Sequence, residues 1–210
     1  MREPLRRELH GLDTAIATAG EQAVALLQRA VELLADPEEA AAREVISGAV
    51  RAQAAQEEIE SSVERAMALQ APVARDLRLM LAAALVAYHI ERVAANAGRI
   101  ARLTLEAPPP LGVLPALQEM GAQACRAMTA ALSTFGSIDP AHNLDLEAAA
   151  LELHEQERDV IESMPSVTRP AAATALLAAR YLTRVGEHAS AIGHRTATVA
   201  FGRADLGLDV

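Results

Sequence analysis

The chain has 210 residues, of which 51% are hydrophobic and only 2% aromatic, and its formal net charge is −9. That charge argues against a nucleic-acid backbone as the main partner, because such binding needs clustered cations to displace counterions. No apolar run approaches the roughly 20 residues of a membrane span, the N-terminus carries no signal-peptide pattern, and Cys125 is the sole cysteine, so a reducing cytoplasm is the expected setting.

The hydrophobic residues are mostly alanine, leucine and valine. Alanine has the highest helix propensity and little preference for strands, so this composition favours closely packed helices. The first helix is predicted over 5–34, with Leu12, Ile16, Ala19, Ala23, Leu26, Leu27, Ala30 and Leu33/Leu34 on its buried side. It stops at Asp36-Pro37. Asp36 is placed to cap the next helix, Pro37 to occupy its first position, and Glu38 and Glu39 to face the positive end of its dipole.

The second helix covers 40–69, and a turn at 70–72 leads to the third. Pro72 can open that helix, because a proline at the first position lacks only an N–H that no carbonyl would bond. Leu77, Met80, Leu81, Ala84, Leu85, Tyr88, Ile90 and Val93 recur at spacings of three and four, predicting one buried stripe up to about residue 100. Three long helices joined by short turns should pack up-down-up.

Pro108, Pro109 and Pro110 cannot continue a helix and mark a stiff linker over 107–113. The fourth helix is predicted over 114–135, after which Asp139-Pro140 repeats the Asp36-Pro37 device. The fifth helix, 144–163, is shorter than its counterpart. A turn over 164–170 precedes the sixth, which opens near Pro170 and runs to about residue 201. The third and sixth helices align at an offset of 92, matching Ala87 with Ala179, Arg92 with Arg184, Val93 with Val185, Ala97 with Ala189 and Ile100 with Ile192. That self-similarity points to a duplication. The expected fold is all-α: two tandem three-helix bundles over 1–106 and 114–203, followed by a tail over 204–210.

The helix-three segment from Pro72 to Arg78 with Glu91-Arg92-Val93, and the helix-six segment from Ala178 to His188, resemble the signature helices of the PhoU family of phosphate-uptake regulators. Leu5 to Leu9, Val45 to Gly48 and both Asp-Pro turns extend the likeness over nearly the whole chain. The resemblance implies a cytoplasmic accessory of a phosphate ABC transporter that restrains uptake and the phosphate-starvation response without catalysis. It further implies two partners, the transporter's ATPase subunit and a membrane sensor histidine kinase, contact with the membrane only through them, and a homodimer. Arg78, Arg92 and Arg184 are the candidate partner-binding side chains, as guanidinium forks suited to carboxylate or phosphate; Asp76 beside Arg78 offers that arginine a structural partner instead.

Members of that family often hold metal clusters through a Glu/Asp-x-x-x-Asp pair on helices three and six, joined by acids of helices two and five. Carboxylates four apart share a helix face, and two helices can bring them together on a hard cation. In the first half Glu91 stands alone, with Ala95 at the second position and Ala49, Gln53 and Gln56 on helix two, so that site is expected to be lost. In the second half Glu155, Asp159 and Glu187, with Glu162 or His194 near by, define a possible site for one divalent or iron-type ion. Its ordinary alternative is that Glu187 pairs with Arg184 and the helix-five acids face water. Glu57, Glu60 and Glu64 read as a solvated face, and Tyr88 and His89 as a structural core edge.

Two other functions fit an all-α chain. A carboxylate-bridged helical-bundle enzyme needs Glu-x-x-His on two helices, and no such motif occurs here. A divergent helix-bundle adaptor with another partner needs only the bundle.

Overall fold

The computed structural model describes residues 3–164 and 169–201. The helices are α1 (Glu3–Ala35), α2 (Glu39–Gln70), α3 (Ala74–Glu106), α4 (Leu114–Ser137), α5 (Asn143–Glu162) and α6 (Arg169–Phe201), with a 3-10 turn at Pro140–His142 before α5. The whole tail expected over 204–210 and most of the turn expected over 164–170 lie outside the described residues.

α1, α2 and α3 all touch one another, as do α4, α5 and α6. The two groups meet where α1 packs on α4 and α3 on α6, whereas α1 does not reach α6 and α3 does not reach α4. The centre is therefore a four-helix ring α1-α3-α6-α4, with α2 laid against α1/α3 and α5 against α4/α6. One apolar core runs through both groups and includes Leu27, Leu33, Met80, Ile90, Leu117, Met128, Leu153 and Leu182, all essentially inaccessible. Each such side chain removes about 1.5–3 kcal/mol worth of apolar surface from water.

Close approach across α1/α4 depends on two glycines. A Cβ on Gly20 would lie 2.7 Å from the Leu132 methyls, and one on Gly121 would lie 2.5 Å from those of Val31. Each glycine thus receives an aliphatic knob from the other helix, which offsets the roughly 1 kcal/mol that a mid-helix glycine costs.

The Asp-Pro devices differ. Asp139 does cap: its side chain accepts a hydrogen bond from the Ala141 N–H at 2.9 Å, with Pro140 at the first position of the 3-10 turn. At the other, α2 begins only at Glu39 with Glu38 in the cap position and no side-chain cap bond, so Asp36 and Pro37 belong to the loop. Pro72 likewise precedes α3 and does not open it; the cap position is Val73.

The inward face of α3 also differs from the periodicity reading. Met80, Ala82, Ala83, Val86, Ala87, Ile90 and Val93 are buried, but Leu81, Leu85 and Tyr88 are 47%, 39% and 45% exposed. Helix α3 must approach α1, α2 and α6 together, and small alanines permit that approach where leucines would hold the helices apart.

Candidate functional site

The second-half acids are separated by the helix that carries them. Leu146, Ala150, Leu153 and Val160 form the buried face of α5. Glu155 and Asp159 fall between those positions and are exposed, pointing away from α6. The titratable residues of α5 that pair with α6 are Glu147, His154 and Glu157. Arg180 Nη1 donates to Glu157 at 3.3 Å, His154 Nε2 lies 3.3 Å from Glu187 Oε1, and His194 Nε2 lies 3.2 Å from Glu147. Arg180 also stands 3.8 Å from Glu187. Arg180, Glu187 and His194 are seven apart on α6, so the seam is a ladder of complementary pairs. Glu187 pairs across to α5 and not with Arg184 one turn earlier.

Among the described residues no three His, Cys, Asp or Glu side chains converge in a way that could hold a metal ion. Glu155, Asp159 and Glu187 therefore do not make the donor set that the spacing suggested, because the apolar face of α5 turns the first two outward. The metal implied by the family resemblance does not fit this arrangement.

Glu91 is 5% exposed and bonded in a fork to its neighbour, with Arg92 Nε and Nη2 donating to its two oxygens, the latter at 2.6 Å. That hydrogen bond, despite some burial, raises the Arg92 pKa above its ordinary value. The equivalent position in the second half is Thr183, fully buried, whose hydroxyl donates to the carbonyls of Leu153 (3.2 Å) and Ala179 (3.1 Å).

Between α3 and α6 lies a different group. His89 Nδ1 and His188 Nδ1 are 3.2 Å apart, Arg99 lies over the Tyr181 ring at 5.7 Å, and Thr174 donates to the Ala107 carbonyl at 2.8 Å. Higher numbers on α3 meet lower ones on α6, so the helices run antiparallel. Burial lowers the His188 pKa to about 4, helped by His89, Arg184, Arg92 and Arg99; burial, then Arg195, lowers that of His89. The pair is neutral at pH 7, one imidazole donating through Nδ1–H and the other accepting. Arg92 also reaches over the Tyr88 ring at 5.7 Å, and Arg99 donates to Asn96 Oδ1 at 2.8 Å.

Arg92 and Arg184, both expected to contact partners, thus lie beside this His pair, one on each helix. Arg78 is elsewhere on α3, half-buried, its Nε without a hydrogen-bond partner among the described residues; Asp76 does not pair with it. The residues missed in the sequence are Arg99 and Arg195, which extend the series begun by Arg92 and Arg184. The opposite face of the ring, along α1/α4, is a shallow groove of about 450 Å³ lined by Ile16, Val24, Leu132 and Phe135 together with Asp13 and Glu21.

Cys125 is buried, and burial pushes its thiol up to about 11, so it is not poised as a nucleophile. No helix of the described residues is long and apolar enough to cross a membrane.

The PhoU domain family profile matches residues 16–104. Two curated relatives from Xylella fastidiosa strains, each named a phosphate-specific transport system accessory protein PhoU homolog, are 30% and 29% identical over 193 residues; the alignments span 88% of this chain and 80% and 81% of theirs. The crystal structure of PhoU from Pseudomonas aeruginosa superposes with a TM-score of 0.88 at 21% identity, covering 94% of this chain and 99% of that one. That of the phosphate transport system regulatory protein PhoU from Streptococcus pneumoniae gives 0.86 at 19%, covering 98% and 100%. Those two likenesses establish the six-helix fold, and with the Xylella relationship across nearly the full length, the chain belongs to the PhoU family.

Proposed function

We propose that this protein is a negative regulator of phosphate uptake and of the phosphate-starvation response, working in the cytoplasm by docking onto the ATPase subunit of a phosphate transporter and onto a membrane sensor histidine kinase. The observation that carries the reading is the 30% identity, over 193 residues, to a phosphate-specific transport system accessory protein homolog. As a PhoU family member the chain is a regulatory accessory protein of phosphate transport and not an enzyme. The α3/α6 face supports docking, since Arg92 and Arg184 offer guanidinium groups beside exposed apolar side chains. Self-association as a homodimer belongs to the same proposal.

The test is affinity capture of the full-length protein from phosphate-replete cells. Recovery of a phosphate transporter ATPase or a sensor kinase, lost on phosphate starvation or on deletion of the partner gene, supports the reading. Recovery of neither, with a different partner at stoichiometric level, replaces it with an adaptor of another pathway. Sedimentation of the purified chain decides the dimer.

A further inference from the structure

We propose that the α3/α6 seam is a docking strip for an acidic amphipathic helix of a partner protein. The inference rests on the docking function above and specifies what kind of segment is docked.

Two stripes define the strip. On α3, Leu81, Leu85, Tyr88, Arg92, Arg99 and Arg102 follow one another at steps of four, three or seven; on α6, Leu177, Tyr181, Arg184, His188 and Arg195 do the same. Such steps keep side chains on one helix face. The His89–His188, Arg99–Tyr181 and Thr174–Ala107 contacts place the two helices side by side and antiparallel. Neither stripe contains an Asp or Glu, although the chain has 28 carboxylates against 19 arginines and lysines. Both tyrosines of the protein are on it.

The arginines are poorly neutralised. Arg92 shares the Glu91 carboxylate and Arg99 bonds only to a neutral amide, while Arg102, Arg184 and Arg195 make no hydrogen bond or ion pair among the described residues. A positive strip on a negative molecule selects carboxylates and repels the wrong partner. The leucines at either end, with Leu81 and Leu177 47% and 41% exposed, have no covering element among the described residues. Leu, Tyr and Arg together supply the apolar and guanidinium anchors that a protein interface uses.

The shape favours a helix over a lipid surface or a free ion. Two antiparallel helices leave a groove whose side chains repeat in the four-three register of a third helix. From Leu81 to Arg102 the groove is about 32 Å long, the reach of a helix of about 21 residues. A single oxyanion would use two or three of these guanidinium groups and none of the leucines. An anionic bilayer would meet the strongly acidic remainder of the molecule.

The test uses the full chain and a fluorescein-labelled synthetic helical peptide of about 24 residues, with Leu on its apolar face and Glu on both flanks, beside a control with Lys for Glu. The Glu peptide should bind, weaken as salt rises towards about 1 M, and lose at least about tenfold in affinity with Arg184→Glu/Arg195→Glu. Arg126→Glu, exposed on α4, should leave the affinity unchanged. If the double reversal lowers the thermal midpoint, Arg184→Gln/Arg195→Gln takes its place. Equal binding of both peptides, or full binding by the substituted strip, overturns the proposal. So does displacement of the peptide by inorganic phosphate at constant ionic strength, which would make this an ion pocket, or strip-dependent binding to anionic vesicles with none to the peptide.

The capture experiment fails separately. Peptide binding with no transporter ATPase or kinase recovered keeps the strip and removes the partner assignment. Recovery of those partners by the double variant keeps the function and removes the strip.

Discussion

Lowering the pH should cost this fold stability through one part-buried pair. His188 and His89 face each other Nδ1 to Nδ1 at 3.2 Å and share one hydrogen bond, one ring donating and the other accepting. An added proton puts charge on a part-buried ring, with burial as the larger penalty and Arg92, Arg99 and Arg184 near His188 and Arg195 near His89 adding to it; protonating both rings also sets two Nδ1–H groups against each other. The folded His188 pKa of about 4 lies below the unfolded 6.5. Between those values the unfolded chain binds more protons than the native one, so stability is intact above pH 6.5 and is lost as pH falls towards 4. At pH 4.5 the loss is about 2–3 kcal/mol, from about 1.36 kcal/mol per unit of pKa difference. The perturbation is His188→Asn, which keeps a polar group without the titration. Urea unfolding, followed by far-ultraviolet circular dichroism from pH 7.5 to 4.5, is run on both proteins; their difference cancels the carboxylates common to them. The wild type should fall more steeply than the variant by about 2–3 kcal/mol over that range. Parallel curves would refute the reasoning, as would a variant that loses more stability than the wild type on acidification.

Three further outcomes follow from particular contacts. Ala71 closes α2 in the left-handed region at φ 44°, its N–H bonded to the Met67 carbonyl, so Ala71→Gly should raise the urea-derived stability by about 0.5–1 kcal/mol; a loss would mean the closing turn is not strained. A Cβ on Gly186 would come 2.6 Å from Leu153 Cδ1 and 3.3 Å from Ala150 Cα, so Gly186→Val should lower the thermal midpoint through about 1–3 kcal/mol of overpacking between α5 and α6, and an unchanged midpoint would contradict the contact. Elemental analysis of protein purified without chelator should find well under one metal ion per chain, because Glu155 and Asp159 face away from Glu187; a stoichiometric ion abolished by Glu155→Gln would overturn that geometry.

The helices were legible because each carries an apolar period unbroken for many turns, and the breaks fell at prolines. Which face turned inward was not always legible. On α3 the leucines at 81 and 85 outweigh alanine in any hydrophobic count, yet they are outside and Ala82, Ala83, Val86 and Ala87 are inside, since three neighbouring helices must come close. The sequence did hold the corrective signal: the Leu81-Leu85-Tyr88 stripe continues into Arg92, Arg99 and Arg102, and a stripe that ends in arginines does not enter a core. For the acids, spacing alone put Glu155 and Asp159 on one face but did not say which; Leu146, Leu153 and Val160 fix it, and that face is the wrong one for Glu187. Pairs such as His154–Glu187 and Arg180–Glu157 join different helices and have no local signature.

The two halves treat equivalent positions differently, and the difference explains where charge is left over. At Glu91 a buried carboxylate is kept and neutralised by the arginine next to it; at Thr183 the carboxylate is replaced by a hydroxyl that bonds to backbone carbonyls. Burying an unpaired charge costs several kcal/mol, so either device is stable where a lone acid would not be. Arg184, which follows Thr183 as Arg92 follows Glu91, thereby has no carboxylate of its own to answer. The threonine at 183 thus leaves the Arg184 guanidinium on the surface near His188 without the carboxylate that Arg92 has. Supplying one by Thr183→Glu should then draw Arg184 into an internal fork like that of Arg92 and weaken acidic-helix binding by about the same several-fold factor as removing one interface charge. Binding that stays unchanged while Arg184→Gln reduces it would show that the two halves do not obey the same local rule.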